Sequence, residues 1–239
     1  MRSTSPDPQV SSLEHLVEGF GSAVSEILKR NIRLNFTTAH RTEASLSWVH
    51  DQIKNRPKLL QAIFTVAGVP APESHLFLQS PDDWLAKHLP SPHRQSEWIA
   101  GREALIHCFN ASDPTDQLPP SLSLSHSHET IVACGSNDLS PIGIDLERTD
   151  RQISERTLQR VFSNEERGLG LTAIELWTIK EATFKALRRE AILLPQISVE
   201  SCEKGKLLTG ISGMADDSQK IRYFSKSNAH WTLTLGLSC

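Results

Sequence analysis

The chain has 239 residues, with 25 Lys and Arg against 28 Asp and Glu, a formal net charge of −3 and a pI near 6.4. That length allows one large or two small domains with a real core, and 38% apolar with 22% charged residues excludes the low-hydrophobicity, high-charge regime of disordered chains. The near-neutral balance excludes the broad basic footprint of a duplex-binding domain, so an anionic ligand has to be met by local cations and nucleic acid is not an expected partner.

The amino terminus, Met1-Arg-Ser-Thr-Ser-Pro-Asp-Pro8, has no apolar core of the signal-peptide kind, and no apolar run reaches membrane-spanning length. Cys108, Cys134, Cys202 and Cys239 are dispersed without a C-x-x-C pair, which points to reduced thiols rather than a zinc knuckle or redox pair. The expected location is the cytoplasm.

In chain order, residues 1–12 read as frayed, and Leu13, Leu16, Val17, Phe20, Val24, Ile27 and Leu28 predict an amphipathic helix. A second helical stretch spans 47–66, broken or kinked at Pro57, and Gly68-Val-Pro-Ala-Pro72 reads as a connector. A short strand is expected at Leu76–Leu78, then a helix over Arg94–Phe109 carrying Arg94 and Arg102, and a polar loop over 110–120. Ser121-Leu-Ser-Leu-Ser-His-Ser127, Thr130-Ile-Val-Ala-Cys134 and Pro141-Ile-Gly-Ile-Asp-Leu-Glu147 predict three strands of an antiparallel meander. Helices follow from Ser154 and over Ala173–Arg189, and the remainder reads as strands, notably Lys220–Phe224 and Trp231–Leu237. Strands clustered between helices without βαβ alternation indicate an α+β fold.

The strand 142–147 carries the sharpest chemical signal. Its alternation turns Ile142, Ile144 and Leu146 one way and Gly143, Asp145 and Glu147 the other. Two carboxylates on one face, beside a glycine that leaves the face open, suit a hard cation such as magnesium or manganese, or simply the solvated face of a half-buried strand. In the helix 173–189, Trp177, Glu181 and Lys185 follow at i, i+4 steps, so Glu181 flanks an aromatic stripe and needs a metal or Lys185 to answer its charge. Ser125 and His126 offer hydroxyl and imidazole groups at a strand end, suited to a phosphate or to an ordinary strand histidine. Ser163 and Glu166 have the spacing of a capping box.

Together, Ser123-Leu-Ser-His-Ser127, Ile142-Gly-Ile-Asp-Leu-Glu147, Phe162-Ser-x-x-Glu166 and Trp177-x-x-Lys-Glu-Ala-x-x-Lys185 resemble, in order and spacing, the signature of 4′-phosphopantetheinyl transferases, most nearly the Sfp/EntD-type branch. The resemblance covers residues 84–239. It implies a cytoplasmic, monomeric enzyme that moves the 4′-phosphopantetheine arm of coenzyme A to a serine of an apo acyl, peptidyl or aryl carrier protein, releasing 3′,5′-ADP. It implies magnesium, or manganese, held by Asp145, Glu147 and Glu181, and catalytic roles for Glu181, Lys185 and His126, with Glu181 the base and Glu166 a second possibility. Contacts to coenzyme A are implied for Arg94, Arg102, Ser125, His126, Lys180 and Lys185. The loop Asp116-Gln-Leu-Pro-Pro120 departs from the family's Gly-Lys-Pro segment.

The implied fold is two similar α+β halves, each a helix on a small antiparallel sheet, forming a pseudo-dimeric monomer that binds coenzyme A in the cleft. Residues 1–70 are then a helical extension, 71–138 the first half and 139–239 the second. The excess of basic residues between Arg148 and Arg189, including Arg156 and Arg160, suits an acidic carrier protein. The rival expectation is a catalytically silent module of the same fold that binds coenzyme A or a carrier.

Overall fold

The apolar periodicities become elements in a computed structural model that describes residues 8–28, 34–41, 44–66, 71–89, 91–112, 121–136, 140–187, 192–214 and 219–238. In chain order these are α1 (Pro8–Leu28), β1 (Leu34–His40), α2 (Leu46–Ile53), α3 (Pro57–Thr65), α4 (Ala71–Gln79), α5 (Pro81–His88), α6 (Pro92–Ser112), β2 (Ser121–Ser127), β3 (Thr130–Ser136), β4 (Ile142–Arg148), α7 (Glu155–Val161), α8 (Asn164–Arg167), α9 (Ala173–Leu187), a single 3-10 turn (Leu194–Gln196), β5 (Ile197–Lys204), β6 (Leu208–Met214), β7 (Lys220–Ser227) and β8 (Trp231–Ser238). Helices and two antiparallel sheets make the fold α+β, and no helix among the described residues is long and apolar enough to cross a membrane. Contacts divide the chain into unit one, residues 1–31 with 140–239, and unit two, residues 32–139.

Local chemistry sets several boundaries. Pro57 opens α3, where its missing N–H costs nothing, so the expected stretch 47–66 divides into α2 and α3. Ser45 caps α2 by accepting from the Trp48 amide at 3.3 Å, and Ser154 caps α7 from the Thr157 amide at 3.2 Å. The expected capping box is present: Ser163 Oγ accepts from the Glu166 amide at 3.2 Å, and the Ser163 amide donates to Glu166 Oε2 at 2.8 Å.

Unit one is a five-stranded sheet of order β4-β8-β7-β6-β5, antiparallel throughout. Register pairs Ile142 with Leu237, Ile144 with Leu235 and Leu146 with Leu233, and this apolar row is buried. Helix α9 lies on the opposite face, against Gly143 and Gly236. The predicted stripe of α1, with Leu13, Leu16, Val17, Phe20 and Val24 buried, packs on β7 and β8.

Unit two is a three-stranded sheet of order β1-β3-β2 crossed by α6. Beside it Phe64, Phe77, Trp84 and Trp98 pack ring on ring, with centroids 5.2–5.8 Å apart.

Several expectations need correction. The meander does not form: β3 is already paired on both sides by β1 and β2, so β4 leaves it and joins β8 in the other sheet. Leu76–Leu78 is helical, within α4, where Ser74 and Phe77 are buried three residues apart on one helix face and Phe77 packs against Phe64 and Trp84. The stretch 1–70, expected to be a helical extension, also contains strand β1, and contacts place its first part with unit one and its remainder with unit two. Residues 8–12, expected frayed, belong to α1, and 110–112 to α6. The rest of the frayed terminus, 68–70 of the connector, the loop 113–120, Arg188, Arg189 and Cys239 lie outside the described residues.

Candidate functional site

Two glycines build the site by what they lack. Gly143 and Gly236 are cross-strand partners on β4 and β8. A Cβ on Gly143 would stand 1.9 Å from the Ala182 carbonyl oxygen and 2.5 Å from the Ala186 nitrogen, and one on Gly236 would stand 3.2 Å from the same Ala182 oxygen. Backbone meets backbone here, so the next residues on that strand face, Asp145 and Glu147, are brought to the flank of α9 that carries Glu181 and Lys185. The parity read from the sequence is the parity observed.

Buried hydroxyls stitch the same interface. Thr178 Oγ1 lies 2.9 Å from Thr234 Oγ1, which donates to Ser225 Oγ at 2.8 Å, and Thr234 is the cross-strand neighbour of Asp145. The Thr183 and Ser212 hydroxyls meet at 2.5 Å. Helix α9 is thereby fixed in rotation against the sheet.

Asp145 is buried, and Lys185 Nζ donates to its Oδ1 at 2.8 Å and to the Ile144 carbonyl at 3.0 Å. Glu147, one pleat further on, is ion-paired with Arg151, whose guanidinium lies 5.0 Å from the ring centroid of Trp177. Burial and then the charge of Asp145 push the Glu181 carboxyl above its ordinary value, against the opposing pull of Lys185 and Arg151. Three acids and two cations therefore share one flank of α9. Among the described residues no three His, Cys, Asp or Glu side chains are arranged to hold a metal ion. Asp145 and Glu147 are instead closed on their cations. The donor set itself fits a hard divalent ion: it is all oxygen, and the repulsion between Asp145 and Glu181 is what a doubly charged cation would relieve.

The other expected residues are placed differently. Lys180 is buried on the far side of α9, 2.9 Å from Glu166 Oε1, and donates to the Val161 carbonyl at 2.8 Å. One helical residue turns a side chain about 100° around the axis, which separates Lys180 from its neighbour Glu181. Lys180, expected to contact coenzyme A, is thus held in a buried pair with Glu166. Glu166 also accepts from the Val199 amide at 2.9 Å, joining α8, α9 and β5, and its oxygens are committed to structure rather than to proton transfer.

In unit two, Arg102 is 4% exposed, stacks 4.9 Å from the Trp98 ring centroid and donates to the Ile63 carbonyl at 3.1 Å. Burial lowers its guanidinium to about 10, and its Nε has no hydrogen-bond partner. As it stands, Arg102 anchors the end of α3 inside the aromatic core. His126 is half exposed at the end of β2, with Nε2 2.9 Å from Glu97 Oε1; exposed Arg94 holds the other Glu97 oxygen at 3.2 Å. Ser125 is buried.

Sequence reasoning missed Arg151 and Glu97. Arg151 follows β4 in a coil, where spacing carries no facing rule, and Glu97 meets His126 only through the packing of α6 on β2.

Residues 141–234 match the sequence model of the 4′-phosphopantetheinyl transferase superfamily. The match runs from the residue before β4 into β8, less than half of the chain, and contains Asp145, Glu147, Arg151, Glu181 and Lys185. It implies phosphopantetheine transfer in general, and hence a transferase. Comparison with curated proteins finds no match.

Proposed function

We propose that the chain is a 4′-phosphopantetheinyl transferase of the Sfp/EntD-type branch that modifies a serine of an apo carrier protein and releases 3′,5′-ADP. The observation that carries this reading is the backbone contact of Gly143 with α9, which sets Asp145 and Glu147 beside Glu181 and Lys185 inside the family-matched segment. In the reaction the serine Oγ attacks the β-phosphorus of coenzyme A, the bond from that phosphorus to the bridging oxygen breaks, and the bridging oxygen leaves with 3′,5′-ADP.

Asp145, Glu147 and Glu181 would hold a magnesium or manganese ion. Bound there, the ion supplies charge dispersal over the diphosphate. Lys185, half-buried with its ammonium fixed by Asp145 and the Ile144 carbonyl, places one positive charge for a phosphate oxygen without a reorganisation cost. Glu181 is the proposed acceptor of the serine proton, directly or through a water. His126, turned by Glu97, is a proposed donor to a phosphate, and exposed Arg156 and Arg160 on α7 a proposed contact for an acidic carrier.

Incubation with coenzyme A, magnesium and a panel of apo carriers, followed by intact mass, tests the proposal. The expected product is a carrier heavier by one phosphopantetheine, with Asp145→Ala at least about 10²-fold slower, the scale of losing one preorganised electrostatic group. Equal rates in Asp145→Ala would overturn the assignment of the site.

A further inference from the structure

Arg151 is the second cation of the acidic face, beside Lys185. It is paired with Glu147, lies over Trp177, and reaches Glu181 with its charge. Its amide donates to the Arg148 carbonyl at 3.1 Å, which folds the chain back after β4 and aims the side chain at the strand it has just left. Glu147 is 12% exposed and Arg151 39%, so the guanidinium is the solvent side of the pair. The neighbouring Arg148 donates to Asp150 at 2.6 and 2.8 Å.

A carboxylate oxygen bound directly to a divalent ion gives up most of its interaction with a guanidinium, so ion binding and the Arg151–Glu147 pair oppose each other. The Trp177 face keeps the guanidinium at the site whichever partner Glu147 has, since its attraction to the ring does not depend on Glu147. A guanidinium so held is suited to two phosphate oxygens at once, which an ammonium is not.

Resting on the transferase reading above, we propose that Arg151 is an exchanging counter-cation: it holds Glu147 until a divalent ion takes that carboxylate, and then, still lying on Trp177, it binds the diphosphate of coenzyme A. Two consequences of opposite sign follow. Removing the guanidinium frees Glu147 and tightens ion binding, and it also deprives the diphosphate of a ligand.

The test uses the full chain in two measurements: Mn2+ binding without coenzyme A, from the EPR signal of free Mn2+, and the KM for coenzyme A in carrier loading. Arg151→Gln is expected to bind Mn2+ about two- to fivefold more tightly, the scale of a partly exposed ion pair. Its KM for coenzyme A is expected to rise about tenfold or more, with kcat changed less, the scale of a charge-assisted hydrogen bond. Arg151→Lys should return Mn2+ affinity toward wild type while leaving KM raised. Unchanged or weaker Mn2+ binding in Arg151→Gln overturns the exchange, and an unchanged KM overturns the diphosphate contact. Glu181→Gln is the reference. Wild-type Mn2+ affinity in that variant overturns the ion site and the exchange with it, whereas loss of Mn2+ there beside wild-type behaviour in both Arg151 variants overturns the exchange alone.

Discussion

Lys180 and Lys185 ride the same helix, each beside a glutamate or aspartate, and their surroundings differ in one respect. Around Lys180 every charge is answered: Glu166 faces it, the Val161 carbonyl takes a second hydrogen of the ammonium, and the remaining reach of Glu166 is spent on the Ser163 and Val199 amides. Around Lys185 acids outnumber cations, and Glu181, through burial first and the charge of Asp145 second, has its proton affinity raised. A satisfied buried pair fixes a fold, whereas a surplus of like charge held in place by packing marks a site with work left for a ligand.

Lys180→Ala leaves Glu166 buried without its cation and is expected to cost about 3–5 kcal/mol in denaturant unfolding. A loss below about 1 kcal/mol would show that the Lys180 pair is as dispensable as a surface one. Gly143→Ala comes next. Its Cβ meets backbone rather than a flexible side chain, so α9 must move, at about 1–3 kcal/mol. Transfer activity should fall by more than that stability loss explains, because Glu181 and Lys185 move with the helix. Retained activity in a folded Gly143→Ala protein would sever the link between close packing and site geometry.

The smallest effect sharpens the contrast. A carboxyl raised in the folded state binds its proton more readily there than in the unfolded chain, so its contribution to stability falls as pH rises from the ordinary carboxylate value through the raised one. Glu181→Gln should therefore melt above wild type at neutral pH, with the gap closing as the pH is lowered toward the ordinary carboxylate value of 4.5. A constant gap across that range would assign the gain to something other than the charge.

Much of this was legible in the sequence because the relevant rules are local. Alternation put Gly143, Asp145 and Glu147 on one face, Pro57 and the serines at 154 and 163 punctuated helices, and the i, i+4 step joined Glu181 to Lys185. What was not legible depends on partners distant in sequence. Whether β4 extends the β2–β3 hairpin or crosses to β8 turns on β1 having claimed the other edge of β3, and β1 itself is half-buried with a weak pattern. Lys180 misled because adjacency to Glu181 in the chain is separation around the helix. Its true partner, Glu166, was recognised as a cap, while its second oxygen, reaching Lys180 and Val199, has no signature in sequence.

The direct test of the central claim, that the acid which burdens this fold is the one that performs transfer, pairs intact-mass measurement of carrier loading by wild type and Glu181→Gln with a thermal melt of the same samples. The account predicts a variant that melts higher at neutral pH and loads the carrier at least about 10²-fold more slowly. A variant that loads the carrier at the wild-type rate would contradict it.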